Sequence, residues 1–148
     1  MKEMETEAEL ATMIGGHAVV VCDFFTTWCG PCKALAPVLA GIAEKTKAKV
    51  TADIEFCKAD CEKLVATADA LDIRSIPTVV FFVKGKPDKD AIVGFCNELV
   101  YTGKIDEILE DIAGYASKMD VLGTMPAVTV NATASKPAAK KKATKKQL

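Results

Sequence analysis

Cys29 and Cys32 stand three positions apart in the run Trp28-Cys29-Gly30-Pro31-Cys32, and no other residues of the chain are better placed to do chemistry. Apolar, β-branched sequence precedes the pentapeptide, and helix-forming sequence follows it. A thiol at a helix N-terminus sees unpaired N–H groups and the positive end of the helix dipole, and both favour the thiolate. The thiolate is the nucleophile of disulfide exchange. Two cysteines at this spacing on a first helical turn can approach closely enough to form a disulfide. Gly30 and Pro31 keep the intervening turn small and rigid, and Trp28 can supply a flat apolar wall beside the sulfurs. A structural zinc is the alternative use of such a pair, but it needs a full tetrahedral ligand set. Cys57 and Cys61 fall on a strand and on the helix after it, a placement that does not suggest convergence on the pair.

These residues need elements to hold them. AVVVCDFF, residues 18–25, is short, apolar and rich in β-branched and aromatic residues, as in a strand covered on both faces. Asp23 lies inside it, flanked by Val19–Cys22 and Phe24–Phe25, so its carboxyl should be buried with a raised pKa. Residues 30–48 repeat Leu35, Val38, Leu39 and Ile42 at helical spacing, with Pro31 in the first turn and Pro37 as an interior kink. An earlier helix spans residues 6–14, capped by Thr6 and Glu9 and ended by Gly15-Gly16. Residues 53–60 suit a second strand, and residues 61–71 a helix with Leu64, Val65, Ala68 and Leu71 on one face. Pro77 opens the third strand, PTVVFFV. Residues 84–87 turn, and residues 91–95 make a fourth strand. Ile105, Ile108, Leu109, Ile112 and Tyr115 mark a last helix over residues 103–118. The first half alternates as a βαβ unit, so the strands at 18–25 and 53–60 should be parallel. The last two strands form an antiparallel pair.

The chain has 148 residues, half of them hydrophobic, which suits one soluble domain. No apolar run approaches the ~18 residues of a membrane span. The start, MKEMETEAEL, does not resemble a secretory signal, so the cytosol or nucleus is expected, with thiols kept reduced. Residues 1–134 hold 13 Lys/Arg against 20 Asp/Glu, whereas residues 135–148 hold 6 Lys and no acid. An acidic body argues against nucleic-acid binding by the domain, leaving at most weak attraction through the basic tail. That tail lacks periodicity and aromatic residues and should be disordered, giving a domain at 1–119 and a tail at 120–148. It could serve as a nuclear address.

Taken together, the motifs resemble the thioredoxin family from about Thr6 to Met119. Asp23, six residues before Cys29, matches the family's buried acid, and Lys58 the lysine that approaches it. Pro37 matches the family's helix-kinking proline, Ile76-Pro77-Thr78 its cis-proline turn, and Gly85 and Gly94 the glycines of its last hairpin. The resemblance implies a thioredoxin-like α/β fold with a central mixed sheet of four strands flanked by helices. It implies a protein-disulfide reductase. Cys29 would be the exposed nucleophile, Cys32 the resolving thiol, Asp23 the proton acceptor and Lys58 a modulator. Trp28, Gly30, Pro31, Ile76, Pro77 and Gly94 would meet the client, with the Ile76 backbone pairing an extended segment. No cofactor is implied. Electrons would come from an NADPH-dependent flavoprotein, thioredoxin reductase. Peroxiredoxin, ribonucleotide reductase and methionine sulfoxide reductase are the expected clients. The family's isomerases and oxidants more often have His where Pro31 stands, so Pro31 favours a reductant.

Three features depart from the family. Only Met1–Glu5 precede the first helix, so the usual additional edge strand is expected as a stub or absent. Glu62 stands where the family often has an Asp bonded to the active-site Trp, with Asp60 two residues earlier. The stretch FCNELVYTGK after Gly94 is longer than usual. Of the remaining cysteines, Cys22 and Cys57 read as small core residues, while Cys61 and Cys96 lie near element ends and are candidates for exposure.

Overall fold

The apolar run around Asp23 forms β2 (Val19–Phe25), the middle of the sheet, with every residue buried except the half-buried Phe25. The structure, a computed structural model, describes residues 1–123, with side chains described through residue 113. The tail from residue 124 on therefore lies outside the described residues. β2 pairs in parallel with β3 (Ile54–Asp60) along its whole length, and Asp23 stands opposite Lys58. On its other side β2 runs antiparallel to β4 (Thr78–Val83). The long α2 (Gly30–Lys49) joins β2 to β3 and supplies the crossover that parallel pairing requires. Cys32, Leu35, Leu39 and Ile42 make its buried stripe, whereas Pro37 sits inside the helix on an exposed position.

The sheet has more than the four expected strands. The edge strand is present as a stub: β1 (Lys2–Met4) pairs in parallel with Cys57–Ala59 of β3. Lys63 bridges to Glu3 and Glu5, and Lys2 to Glu9, so charged side chains as well as backbone hold it. At the opposite edge, the expected fourth strand at 91–95 is reduced to two residues, and a further two-residue strand forms inside the expected turn at 84–87. β5 (Lys86–Pro87) pairs with Phe82 and Val83, and β6 (Ile92–Val93) pairs with Thr78 and Val79. Lys84 and Gly85 between β4 and β5 take positive φ, which Gly85 tolerates without strain. The strand order is β1-β3-β2-β4-β5, with β6 also on β4.

α1 (Glu7–Gly16) starts at Thr6, whose hydroxyl accepts the Glu9 N–H at 3.0 Å. The Glu9 carboxylate in return accepts the Glu5 N–H at 2.6 Å. The two glycines expected to stop the helix are its last two residues, and His17 caps it. α3 (Val65–Ala70) is shorter than expected. Residues 61–64 instead fold as a turn in which the Lys63 and Leu64 N–H groups donate to the Asp60 carbonyl. Leu64 and Ala68 are buried and Leu71 half-buried, as expected, but Val65 is exposed and lies off the apolar face. Met4, Leu10, Val20, Cys22, Phe24, Cys57, Ala59, Leu64, Val80 and Phe82 form one apolar core cluster.

The chain divides into two units, residues 1–102 and 103–148. α4 runs Glu98–Gly123, five residues earlier and five later than the periodicity predicts. Its early start has a local cause. Asn97 is the cap, its Oδ1 accepting the Leu99 N–H at 2.7 Å. Much of the stretch after Gly94 that looked like a long loop is therefore helix. In the second unit, Ile105 and Ile108 are buried and Leu109 and Ile112 half-buried, as the helical spacing requires. Among the described residues no helix is long and apolar enough to cross a membrane.

Candidate active site

β2 ends at Phe25, and the chain turns through Thr26–Trp28 before α2 begins. The Cys29 N–H donates to the Thr26 carbonyl at 3.4 Å, which closes the turn. Cys29 is the N-cap of α2. Its Sγ accepts the Cys32 N–H at 3.2 Å, so one of the helix's unpaired donors is aimed at sulfur. Pro31 lies in the first turn, where its missing N–H leaves no intrahelical bond unmade. Cys29 and Cys32 are joined in a disulfide with Cα atoms 5.3 Å apart. The expectation of an exposed Cys29 does not hold in this oxidised form. Cys29 is 5% exposed and Cys32 3%. The asymmetry between them lies instead in the N–H group directed at Cys29.

Trp28 is 67% exposed, an apolar plate on the surface beside the disulfide. Its indole N–H donates to Glu62 at 2.9 Å. Glu62 thus fills the place of the expected Asp despite its longer side chain. Asp60, two residues earlier, instead accepts the Glu62 N–H at 2.8 Å and steadies the turn that presents this acceptor.

Asp23 is 1% exposed, and its Oδ1 has no hydrogen-bond partner. Burial pushes its carboxyl up to about 6, against a smaller downward pull from the Lys58 charge. Lys58 acts from the neighbouring strand, with its ammonium 5.3 Å from the centre of the Phe25 ring. The Ile76–Pro77 peptide bond is cis. Pro77 is buried and Ile76 half-buried, and the turn is tied by the Thr78 hydroxyl, which donates to the Ser75 carbonyl at 2.6 Å. Gly94 has a φ of +88° and donates its N–H to the Pro77 carbonyl at 2.7 Å, so these two backbone segments are joined. Gly30 and Pro31 are both exposed. A thioredoxin family model matches residues 2–102.

The chain belongs to the thioredoxin family. It is 40% identical over 101 residues to a thioredoxin of Mycoplasmoides gallisepticum, a match spanning 67% of this chain and 95% of that one. A thioredoxin of Borreliella burgdorferi is 35% identical over 101 residues, covering 68% of this chain and 78% of its own. Among solved structures, Fasciola hepatica thioredoxin superposes with a TM-score of 0.63 at 30% identity, over 72% of this chain and 98% of that one. Thioredoxins are protein-disulfide oxidoreductases. This one cycles between the Cys29/Cys32 dithiol and the disulfide seen here, with disulfide-bearing proteins as substrates and a reductase to recharge it.

Two residues near the site escaped the sequence reading. The Thr26 hydroxyl is buried without a hydrogen-bond partner. Tyr101 is fully buried, and its hydroxyl is bonded to the Gly94 loop. Neither stands in a recognisable motif; only the spacing of Tyr101 from the cap Asn97, one helical turn, marks it as facing back toward its own N-terminus. Among the four free cysteines, Cys22 and Cys57 are buried core residues, paired in register on β2 and β3. Cys61 and Cys96 are half-buried rather than exposed.

Proposed function

We propose that Cys29 is the nucleophile, Cys32 the resolving thiol and Asp23 the group that takes the Cys32 proton. In this scheme the Cys29 thiolate attacks one sulfur of a client disulfide. A mixed disulfide forms, and the first client thiolate leaves. Cys32 gives its proton to Asp23, directly or through water, and its thiolate attacks Cys29 Sγ. The second client thiolate leaves, the client has gained two electrons, and the chain is left as the Cys29–Cys32 disulfide. A carboxyl at about 6 takes up and releases a proton near neutrality, which suits an acceptor used once per turnover. Lys58 moderates that carboxyl through its charge. The observation that carries the proposal is the pair itself: a disulfide at the N-terminus of α2, with a buried carboxyl lacking a full set of partners on the strand that leads into it.

Trp28, Gly30, Pro31, Ile76, Pro77 and Gly94 form the client face in this scheme, and the Ile76 backbone pairs with an extended client segment. An NADPH-dependent flavoprotein, thioredoxin reductase, returns the electrons. The clients include peroxiredoxin, ribonucleotide reductase and methionine sulfoxide reductase. The setting is the cytosol, and also the nucleus through the Lys-rich tail at 135–148 beyond the domain at 1–119. Four free thiols suit such a reducing compartment. Trapping with Cys32→Ser tests the roles and the partners together. The variant should hold clients as mixed disulfides through Cys29, to be identified after release with dithiothreitol. Capture by Cys29→Ser through Cys32 would reverse the assignment.

A further inference from the structure

Tyr101 has no side-chain surface open to water, yet its hydroxyl is used twice. It donates to the Gly94 carbonyl at 3.1 Å and accepts the Cys96 N–H at 3.0 Å. One proton given and one received is a consistent assignment for a phenol. Gly94 in turn donates to the Pro77 carbonyl at 2.7 Å. One line of bonds therefore runs from α4 through the Gly94–Cys96 segment to the cis-proline turn.

That segment has little else to hold it. β6 ends at Val93, so no strand ladder continues into Gly94–Cys96. Phe95 is half exposed, and the Asn97 side chain is spent on capping α4. The Gly94 φ of +88° is a conformation that glycine enters and leaves easily. Burial also raises the Tyr101 phenol above its ordinary value, so the hydroxyl keeps its proton at neutral pH.

We propose that Tyr101 is a positioning residue for client docking. Its hydroxyl fixes the Gly94–Cys96 segment relative to the Ile76–Pro77 turn, so that an extended client meets a preformed surface. Tyr101 touches neither the client nor the sulfurs. The proposal rests on the client face described above. Without the hydroxyl, the segment must be ordered at each encounter, and that ordering is subtracted from binding.

The test is Tyr101→Phe, with insulin as the protein disulfide and 5,5′-dithiobis(2-nitrobenzoate) as a small disulfide too compact to need the segment. KM for insulin should rise about fivefold to tenfold, the scale of one or two net hydrogen bonds. The kcat for insulin, the rate with the small disulfide and the pH profile of Cys29 alkylation should stay within twofold of wild type (about 0.4 kcal/mol). An unchanged KM, or equal slowing with both disulfides, overturns the proposal. Hydrogen exchange of the wild-type Cys96 amide is a second check that no variant's folding can obscure. Protection supports the bond to Tyr101, and exchange at the rate of an open loop refutes it. If the wild type itself fails to reduce insulin above the dithiothreitol background, the client face falls and this proposal with it. A working wild type matched by an indistinguishable variant overturns the Tyr101 role alone.

Discussion

Replacing Asp23 with Ala should make the oxidised protein more stable at neutral pH while slowing its chemistry. The carboxyl lies at about 6 in the folded chain against an ordinary 3.8. Between those values the unfolded chain gives up the proton while the folded chain keeps it. The folded state then binds more protons, so stability falls as pH rises through roughly 4 to 6 and levels off above about 7. The whole fall amounts to about 3 kcal/mol. Asp23→Ala abolishes it and leaves a small cavity worth roughly 1 kcal/mol against the variant. Urea unfolding of both oxidised proteins should therefore show the variant weaker by about 1 kcal/mol near pH 3 and stronger by about 2 kcal/mol near pH 8. Stopped-flow measurement should show slower resolution of the mixed disulfide, because Cys32 has lost its proton acceptor. Attack by Cys29 should change less, since the N–H groups of α2 are untouched. A stability difference that stays flat from pH 4 to 8, with resolution at full speed, would show that the Asp23 carboxyl is neither penalised by burial nor used.

Three further outcomes are expected. In the reduced protein near pH 7, Cys29 should alkylate at least about tenfold faster than Cys32, because a helix-terminal N–H is aimed at its sulfur; equal rates by mass spectrometry would contradict this. Glu62→Ala should free the Trp28 indole, lowering the fluorescence anisotropy of the chain's single Trp while changing stability by no more than about 0.5 kcal/mol; unchanged anisotropy would mean that the bond does not restrain the ring. Thr26→Val keeps the shape of a buried side chain and removes a hydroxyl without a partner, so thermal unfolding should show a gain of about 1 kcal/mol; a loss would reveal a partner for the hydroxyl.

The sheet and the dithiol were legible because their signals are short-ranged and redundant. Val19–Phe25 is too apolar to be anything but a covered strand, and the turn residues around Cys29–Cys32 admit few conformations. The starts of α3 and α4 differ from the expected ones for a common reason. Helical periodicity locates a face but not an end, and ends are set by local hydrogen bonds: those to the Asp60 carbonyl before α3 and that to the Asn97 side chain before α4. The burial of Cys29 could not be read from a motif, because tertiary packing around the turn, not the spacing of the pair, decides how much of its side chain reaches solvent. Tyr101 was invisible for a different reason. An aromatic residue on a helix reads as packing, and what its hydroxyl reaches is fixed by tertiary approach.

The two margins of the sheet bear on how such a protein avoids itself. A molecule whose substrates are other proteins runs the risk of pairing with copies of its own. Polymerisation through β-pairing needs a long, flat and unbroken row of free N–H and C=O groups. β1 offers three residues, with Lys2 and Glu3 committed to ion pairs. The other margin is split into β5 and β6, each two residues long, and Pro87 removes a donor from it. Neither margin can template a neighbouring strand over more than a step or two. In the proposed scheme an incoming client backbone meets the Ile76–Pro77 turn instead, where pairing is brief and ends of itself.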